Sequence, residues 1–156
     1  DVQNEEHLST LSDRIVAVGL QAGSLGVDPC DPEQPVSLLH VHGTADNNHP
    51  IEGGEGSRSI SGVSYRSADE SVRTVAAAMS CVDEPVESAS AENPDLQYST
   101  WSGCDGSAQV QLLVVTGASH AWMGAPSLNP SADPPYADLD ASLAVLEFLL
   151  AHPRPA

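Results

Sequence analysis

The sequence contains no lysine, and the 5 positive charges among its 156 residues are all arginines. They are outnumbered by 22 aspartate and glutamate residues, so the formal net charge at pH 7 is −17 and the isoelectric point is near 4.2. So strong a negative charge argues against partners that are themselves anionic. We therefore expect the chain to bind neither nucleic acid nor an anionic membrane surface.

Long hydrophobic runs are also missing. No segment approaches the roughly 18 consecutive apolar residues of a membrane-spanning helix, although 40% of all residues are apolar, enough for the core of one globular domain. The chain does not open with a signal peptide either, because a polar run starts at Asp1. We expect that a leader has been removed or that the chain begins part-way through a gene.

Cysteine is scarce, with only Cys30, Cys81 and Cys104 present. An odd number is compatible with one disulfide and one remaining thiol, or with three buried thiols. No C-x-x-C pair occurs, which argues against a structural zinc site.

Apolar, β-branched runs predict three buried strands, at Arg14–Ala22, Val36–His42 and Val110–Thr116. Leu96–Trp101 predicts a short edge strand. Val82–Pro94 is acidic and contains proline, which is typical of a solvated connection.

Two helices are predicted between and after these strands. The first opens at Ser67 and ends near Cys81, because Ser67 and Glu70 have the spacing of a capping box and apolar residues then recur on one face. The second covers about Ala137–Ala151 and carries a stripe of leucines, Leu139, Leu143, Leu146 and Leu150. Asp1–Asp13 could be the tail of a further helix. Strands alternating with helices predict one α/β domain over residues 1–156, with a narrow parallel sheet that looks like part of a larger one.

Two polar side chains follow buried strands where α/β sheets bind ligands. Asp46 lies in the loop after Val36–His42, and His120 lies in the loop after Val110–Thr116. An acid followed by a histidine is the second part of a Ser…Asp…His order. In acyl transfer the histidine moves the proton and the aspartate fixes its tautomer, so we expect the two side chains to converge.

A metal site is the alternative. His40 and His42 share one face of a predicted strand, and with Asp46, His49 and His120 they could hold zinc. The spacing does not match the H-x-H-x-D-H run of zinc β-lactamase-like hydrolases. Hydrogen-bonded histidines that frame the loop are the simpler interpretation.

The nucleophile of a serine hydrolase is not evident. G-x-S-x-G occurs nowhere, and no H-G-G-G loop is present. Ser24 follows a strand but is succeeded by V-D-P-C-D-P, which cannot form the helix of a nucleophile elbow. Ser119 adjoins His120 in a loop without an elbow.

Two segments together resemble a known family: H-V-H-G-T-A-D-N-N-H-P-I-E-G-G at residues 40–54 and G-A-S-H-A-W-M-G at residues 117–124. They are similar to the C-terminal half of polyhydroxybutyrate depolymerase-like esterases and the related feruloyl and acetylxylan esterases of the α/β-hydrolase superfamily. The resemblance extends from about Arg14 to the final helix. It implies a partial α/β-hydrolase fold with C-terminal parallel strands and flanking helices, whose N-terminal half with the nucleophile elbow is absent.

The resemblance also assigns roles. The family's acid lies in its H-G-T-x-D loop, which places it on Asp46, and its base lies in the G-x-x-H-x-W-P-G loop, which places it on His120. Trp122 and His49 are predicted to line the substrate pocket. Met123 stands where the family usually has proline, and Asn47-Asn48-His49 replaces a more apolar run.

A disulfide between Cys81 and Cys104 is expected, because one cysteine ends a helix, the other precedes a strand, and the resemblance favours the same pair. Cys30 would then be left over, with its expected partner in the absent half.

The function implied is a carboxylic-ester hydrolase, secreted or periplasmic, that acts on a polyester or plant cell-wall ester through an acyl-serine and needs no metal or other cofactor. The 156-residue chain alone is predicted to be inactive. Two alternatives remain: a metal-dependent hydrolase using His40, His42 and His120, and a non-catalytic remnant domain.

Overall fold

The computed structural model describes residues 11–60, 62–82, 84–127, 129 and 131–154. Its elements follow one another as β1 (Ala17–Gln21), β2 (Ser37–Gly43), α1 (Ala68–Ala78), β3 (Val86–Ala89), β4 (Leu96–Trp101), a short 3-10 turn (Asp105–Ser107), β5 (Val110–Val115) and α2 (Ala141–Ala151). Most of the helix tail predicted over Asp1–Asp13 lies outside the described residues. None of the described helices has both the length and the apolar character needed to cross a bilayer.

The strands form one five-stranded sheet in the order β1-β2-β5-β4-β3. β1, β2 and β5 are parallel neighbours, whereas β4 runs antiparallel to β5 and β3 antiparallel to β4. The predicted α/β class and its three parallel strands are confirmed. The sheet is nevertheless mixed, and the strand predicted as an edge is an inner one, because β4 lies between β5 and β3.

The prediction of a solvated connection at Val82–Pro94 is wrong in part, because this segment contains the edge strand β3. All four residues of β3 are exposed, so no buried pattern marks the strand in the sequence. Backbone pairing with β4 places Val86 opposite Thr100, and the Ser99 hydroxyl donates a 2.8 Å hydrogen bond to Glu87. Pairing with β4, and not burial of side chains, therefore holds this edge in the sheet.

Helix α1 covers one face of the sheet. Ser67 caps it as predicted, since its hydroxyl accepts a 3.1 Å hydrogen bond from the Glu70 N–H. The helix ends at Ala78, three residues before the predicted end at Cys81. Its buried face joins residues of the sheet in one core cluster, which includes Leu38, Val72, Val75, Trp101, Val110 and Leu112.

Helix α2 lies on the opposite face and begins at Ala141, four residues later than predicted, with Asp140 accepting a hydrogen bond from the Leu143 N–H. Its buried residues are Ala141 and Phe148. Three of the four leucines in the predicted stripe are not covered: the side chains of Leu143, Leu146 and Leu150 are 50%, 51% and 71% exposed. Leu139 precedes the helix and packs against the core. Spacing predicted that these leucines share a face, but that face is turned away from the sheet.

The outer edge of the sheet next to α2 is the strand β1, which is shorter than the predicted Arg14–Ala22. Within the described part of the chain, β1 pairs with β2 on one side and has no strand partner on the other. Gly19 allows α2 to approach, because a Cβ atom there would lie 2.5 Å from a methyl group of Val145. An edge without a strand partner can pair with another chain, so we expect the protein to tend to associate through it.

The predicted disulfide between Cys81 and Cys104 is present, with the two Cα atoms 3.8 Å apart. It connects the end of α1 to the segment after β4 and encloses the β3–β4 hairpin in a loop of 23 residues. Cys30 takes no part in this bond. A disulfide is typical of proteins from oxidising compartments, so the bond is consistent with an extracellular or periplasmic location.

Candidate active site

Asp46 and His120 lie at the same edge of the sheet, each in the loop that follows a parallel strand. β2 and β5 are hydrogen-bonded neighbours in a register that pairs Gly43 with Val115, so their carboxyl ends lie side by side. Every residue of β2 is buried, as expected of a central strand covered on both faces. The loops that carry the two side chains therefore start next to each other, although 74 residues separate Asp46 from His120.

The absence of a side chain at Gly43 allows these loops to touch. A Cβ atom there would lie 2.2 Å from the carbonyl oxygen of Ala118, closer than any real contact. The Ala45 N–H donates a 2.9 Å hydrogen bond to that same oxygen. The Thr44 hydroxyl accepts a further 2.9 Å bond from the Gly117 N–H. The loop after β5 is thus bonded directly to the loop after β2.

The two side chains meet as the sequence predicted. The Nδ1 atom of His120 lies 2.8 Å from the Oδ2 atom of Asp46. The other carboxylate oxygen, Oδ1, accepts backbone hydrogen bonds from Asn48 at 2.9 Å and from His49 at 2.8 Å. An ionised carboxylate only accepts, so Nδ1 of His120 carries the hydrogen and, when the ring is neutral, Nε2 is its basic atom.

The surroundings of the pair favour its charged form. Burial by itself raises the pKa of Asp46, but hydrogen bonds from His120 and from the His49 N–H bring it below its ordinary value. The hydrogen bond to Asp46 raises the pKa of His120 despite the opposing effect of burial, and the charge of Asp133 acts in the same direction as that bond. The carboxylate is buried at 4% exposure, whereas the imidazole is 42% exposed and accessible from solvent. A buried orienting acid and an accessible base suit proton transfer at Nε2.

Two further histidines lie beneath the pair on β2. His40 and His42 are fully buried, and Nε2 of His40 lies 3.0 Å from Nδ1 of His42. The Nε2 atom of His42 lies 2.9 Å from the carbonyl oxygen of His49. These nitrogens face each other and the backbone, so they do not converge with His120 on a common point. Across the described ranges, no group of three or more His, Cys, Asp or Glu side chains is placed to hold a metal ion, and the geometry gives the zinc alternative no support.

Gln21, at the end of β1, holds the loop that carries His120. Its Nε2 atom donates a 3.0 Å hydrogen bond to the Ala121 carbonyl, and its Oε1 atom accepts a 3.0 Å bond from the Met123 N–H. The loop therefore passes from β5 across the end of β2 to the end of β1. Sequence reasoning did not identify Gln21, although a polar residue at the carboxyl end of an apolar strand was a usable signal.

A polar bridge connects the two outer loops of the site. Asp133 accepts a 2.9 Å hydrogen bond from the side-chain amide of Asn48 and forms an ion pair with Arg58. The bridge joins the loop after Asp46 to the loop before α2. It was not predicted, because the three residues are far apart in sequence and none follows a strand directly.

The two residues predicted to line a substrate pocket have different environments. His49 is 8% exposed, and its ring stacks on Tyr65 with the centroids 3.9 Å apart. Burial lowers the pKa of His49 to about 4, so this ring is neutral at physiological pH. Trp122 is 44% exposed, and its indole N–H donates a 2.9 Å hydrogen bond to the Ser142 hydroxyl at the start of α2. Their contact with a substrate stays a prediction.

Neither candidate serine has the setting of a nucleophile. Ser24 is buried at 7% exposure in a loop, and the next element of the described chain is the strand β2, not a helix. The Ser119 hydroxyl donates a 2.9 Å hydrogen bond to the Pro134 carbonyl.

A scan against models of known protein families finds no match for this chain. A search of curated proteins finds no match either. The esterase resemblance therefore rests on the two segments around Asp46 and His120.

Proposed function

We propose that this chain is the acid- and base-bearing part of a serine-type carboxylic-ester hydrolase of the α/β-hydrolase kind. The observation that carries the proposal is the 2.8 Å hydrogen bond between Asp46 and His120 at the carboxyl ends of adjacent parallel strands. The segments that surround these residues resemble polyhydroxybutyrate depolymerase-like, feruloyl and acetylxylan esterases. A polyester or a plant cell-wall ester is the substrate class that this resemblance favours.

The pair performs the proton transfers of such a reaction. Nε2 of His120 removes the proton from a serine hydroxyl as the oxygen attacks the ester carbonyl carbon, and returns that proton to the leaving alcohol. In the second half of the reaction, Nε2 of His120 removes a proton from water as the water oxygen attacks the acyl-serine, and returns that proton to the serine oxygen as the acid is released. Asp46 keeps Nδ1 protonated and stabilises the imidazolium that forms at each step.

In this proposal the serine comes from residues outside these 156 and lies beside β1, which has no strand partner on its second edge among the described residues. Gln21 holds the His120 loop over the end of β1, which places the base near that edge. A further parallel strand beside β1 would deliver its carboxyl end next to His120. A strand–serine–helix segment in that position would complete the triad and supply backbone donors for the oxyanion.

The test compares labelling by a fluorophosphonate probe and hydrolysis of short p-nitrophenyl esters. The 156-residue chain should show neither above background. The same chain joined to its natural upstream polypeptide should show both, and His120→Ala should reduce hydrolysis by about 10⁶-fold. His152→Ala is the matched control, because this histidine caps α2 away from the pair.

Two outcomes contradict the proposal. Labelling of the chain at Ser24 or Ser119 would place the nucleophile within it. Upstream polypeptide that carries no activated serine would identify the chain as a non-catalytic domain that keeps the pair.

A further inference from the structure

We propose that His42 is a positioning residue for Asp46, and that it acts through a directed chain of hydrogen bonds from His40 to the carbonyl of His49. The inference deepens the proposed function and rests on it for the role of Asp46. The chain of bonds itself is a property of the folded domain and needs no nucleophile.

The direction of the bonds follows from the chemistry of their acceptors. The carbonyl oxygen of His49 can only accept, so Nε2 of His42, 2.9 Å away, carries a hydrogen. In the neutral ring, Nδ1 of His42 is then an acceptor, and it lies 3.0 Å from Nε2 of His40. His40 must therefore also carry its hydrogen on Nε2. One tautomer of each ring satisfies both bonds.

Burial keeps both rings in that state. Desolvation lowers the pKa of His40 well below its ordinary value and also lowers the pKa of His42. A second hydrogen on His42 would place its Nδ1–H against the Nε2–H of His40. Two neutral imidazoles in a fixed order are the arrangement consistent with these distances.

The end of the chain of bonds lies in the turn that holds the carboxylate. His42 fixes the carbonyl of His49, and the N–H groups of His49 and Asn48 bind Oδ1 of Asp46. The Nε2 atom of His42 also lies 3.7 Å from Oδ2, the oxygen that binds His120. The rigid strand β2 is thus connected to the turn 46–49 by a side chain as well as by the backbone.

The polar pair is costly in this position. Among the described residues, Nδ1 of His40 has no hydrogen-bond partner and is shielded from solvent. Two apolar side chains could fill the same space without burying ring nitrogens. The geometry thus points to a task for these histidines beyond filling the core, and the bond to the His49 carbonyl supplies it.

The first test needs no variant. Proton–nitrogen NMR of the imidazole rings in the wild-type chain should show His40 and His42 neutral, both with hydrogen on Nε2, at pH 7. Hydrogen on Nδ1 of His42, or a charged His42, would overturn the proposal.

The second test measures the pKa of His120 by NMR in a set of variants. Asp46→Asn gives the lower limit, because it removes the carboxylate that raises this pKa. His42→Phe keeps the ring volume but removes the donor, and should bring the pKa of His120 between the wild-type and Asp46→Asn values. His42→Gln offers an amide donor at the position of Nε2 and should restore part of the difference.

Val75→Ala controls for loss of stability alone. Val75 is fully buried on α1, in a core cluster that includes no residue of the turn 46–49. This variant should destabilise the domain yet leave the pKa of His120 at the wild-type value. A folded His42→Phe variant that is destabilised but keeps the wild-type pKa of His120 would show that His42 only fills the core.

The outcomes are separable from those of the proposed function. If the labelling assay fails, but the tautomers are as predicted and substitution of His42 changes the pKa of His120, the esterase proposal is wrong and the positioning role stands. If the enzyme is active, but substitution of His42 leaves the pKa of His120 unchanged, the esterase proposal stands and the positioning role is wrong.

Discussion

The parallel strands β1, β2 and β5 and the antiparallel hairpin β3–β4 belong to one sheet but differ sharply in burial. All seven residues of β2 are buried, whereas all four residues of β3 are exposed. A helix covers each face of the parallel half, and both members of the Asp46–His120 pair follow its strands. The parallel half therefore provides the core and the candidate site.

The difference shows what each half depends on. Strands covered on two faces must be apolar at nearly every position, and this burial stabilises them. The edge strand β3 buries no side chain and relies on pairing with β4 and on the disulfide that encloses the hairpin. Substitutions should accordingly have unequal effects in the two halves.

The largest expected effect is a cavity in the parallel half. Leu38→Ala on β2 removes a side chain that is 1% exposed and should lower the free energy of unfolding by about 2–5 kcal/mol. Val86→Ala on β3, where the side chain is 67% exposed, should change it by less than about 0.5 kcal/mol. Urea unfolding of both variants measures this difference. Equal losses of unfolding free energy would contradict the comparison between the two halves.

Loss of the disulfide should act mainly on the antiparallel half. Replacing Cys81 and Cys104 together by alanine opens a loop of 23 residues, which costs about 3 kcal/mol in the chain-entropy model. Hydrogen exchange should accelerate in β3 and β4 more than in β2. Faster exchange spread evenly over all five strands would show that the crosslink supports the whole sheet.

An intermediate effect is expected where the loops of the parallel half touch. Gly43→Ala places a methyl group against the Ala118 carbonyl and should destabilise the fold by about 1–3 kcal/mol. It should also lower the pKa of His120, because the loops must separate and weaken the bond to Asp46. Gly23→Ala is the control at the same edge, since its new methyl would approach only the flexible end of Leu20, at 3.3 Å. An unchanged His120 pKa in folded Gly43→Ala would contradict this explanation of the close approach.

The smallest effect is the pH dependence of the pair. The pKa of Asp46 is lowered on folding, so its contribution is present above the unfolded value of about 3.9 and is lost as pH falls through the folded value. The pKa of His120 is raised, so its contribution is complete below about 6.5 and is lost as pH rises through the folded value.

The excess stability of wild type over His120→Gln should therefore be complete between about pH 3.9 and pH 6.5 and should fade as pH falls through the folded pKa of Asp46 or rises through that of His120. The excess should be no more than about 1 kcal/mol, because the imidazole is 42% exposed and partly screened by solvent. Thermal unfolding from pH 3 to 9 checks this window. An excess that persists at both extremes would show that the ring stabilises the fold by packing.

The sequence predicted the covered parts of the molecule better than the exposed parts. Asp46 and His120 could be paired in advance because each follows a continuous apolar run, and parallel strands end at the same edge. The strand β3 could not be predicted, because a strand with every side chain exposed has no pattern of buried residues in the sequence. The leucines of α2 show a further limit, since spacing identifies residues that share a face but not the surface that covers it.

The separation of 74 residues between Asp46 and His120 has a consequence for the order of folding. Local elements such as α1 form without long loops, but the pairing of β2 with β5 must first close a loop that contains α1 and the hairpin. We therefore expect the imidazole–carboxylate bond to appear in the final phase of refolding, after helix formation. During synthesis, the carboxylate emerges long before its partner, and the site comes into existence only when the last strand of the sheet docks.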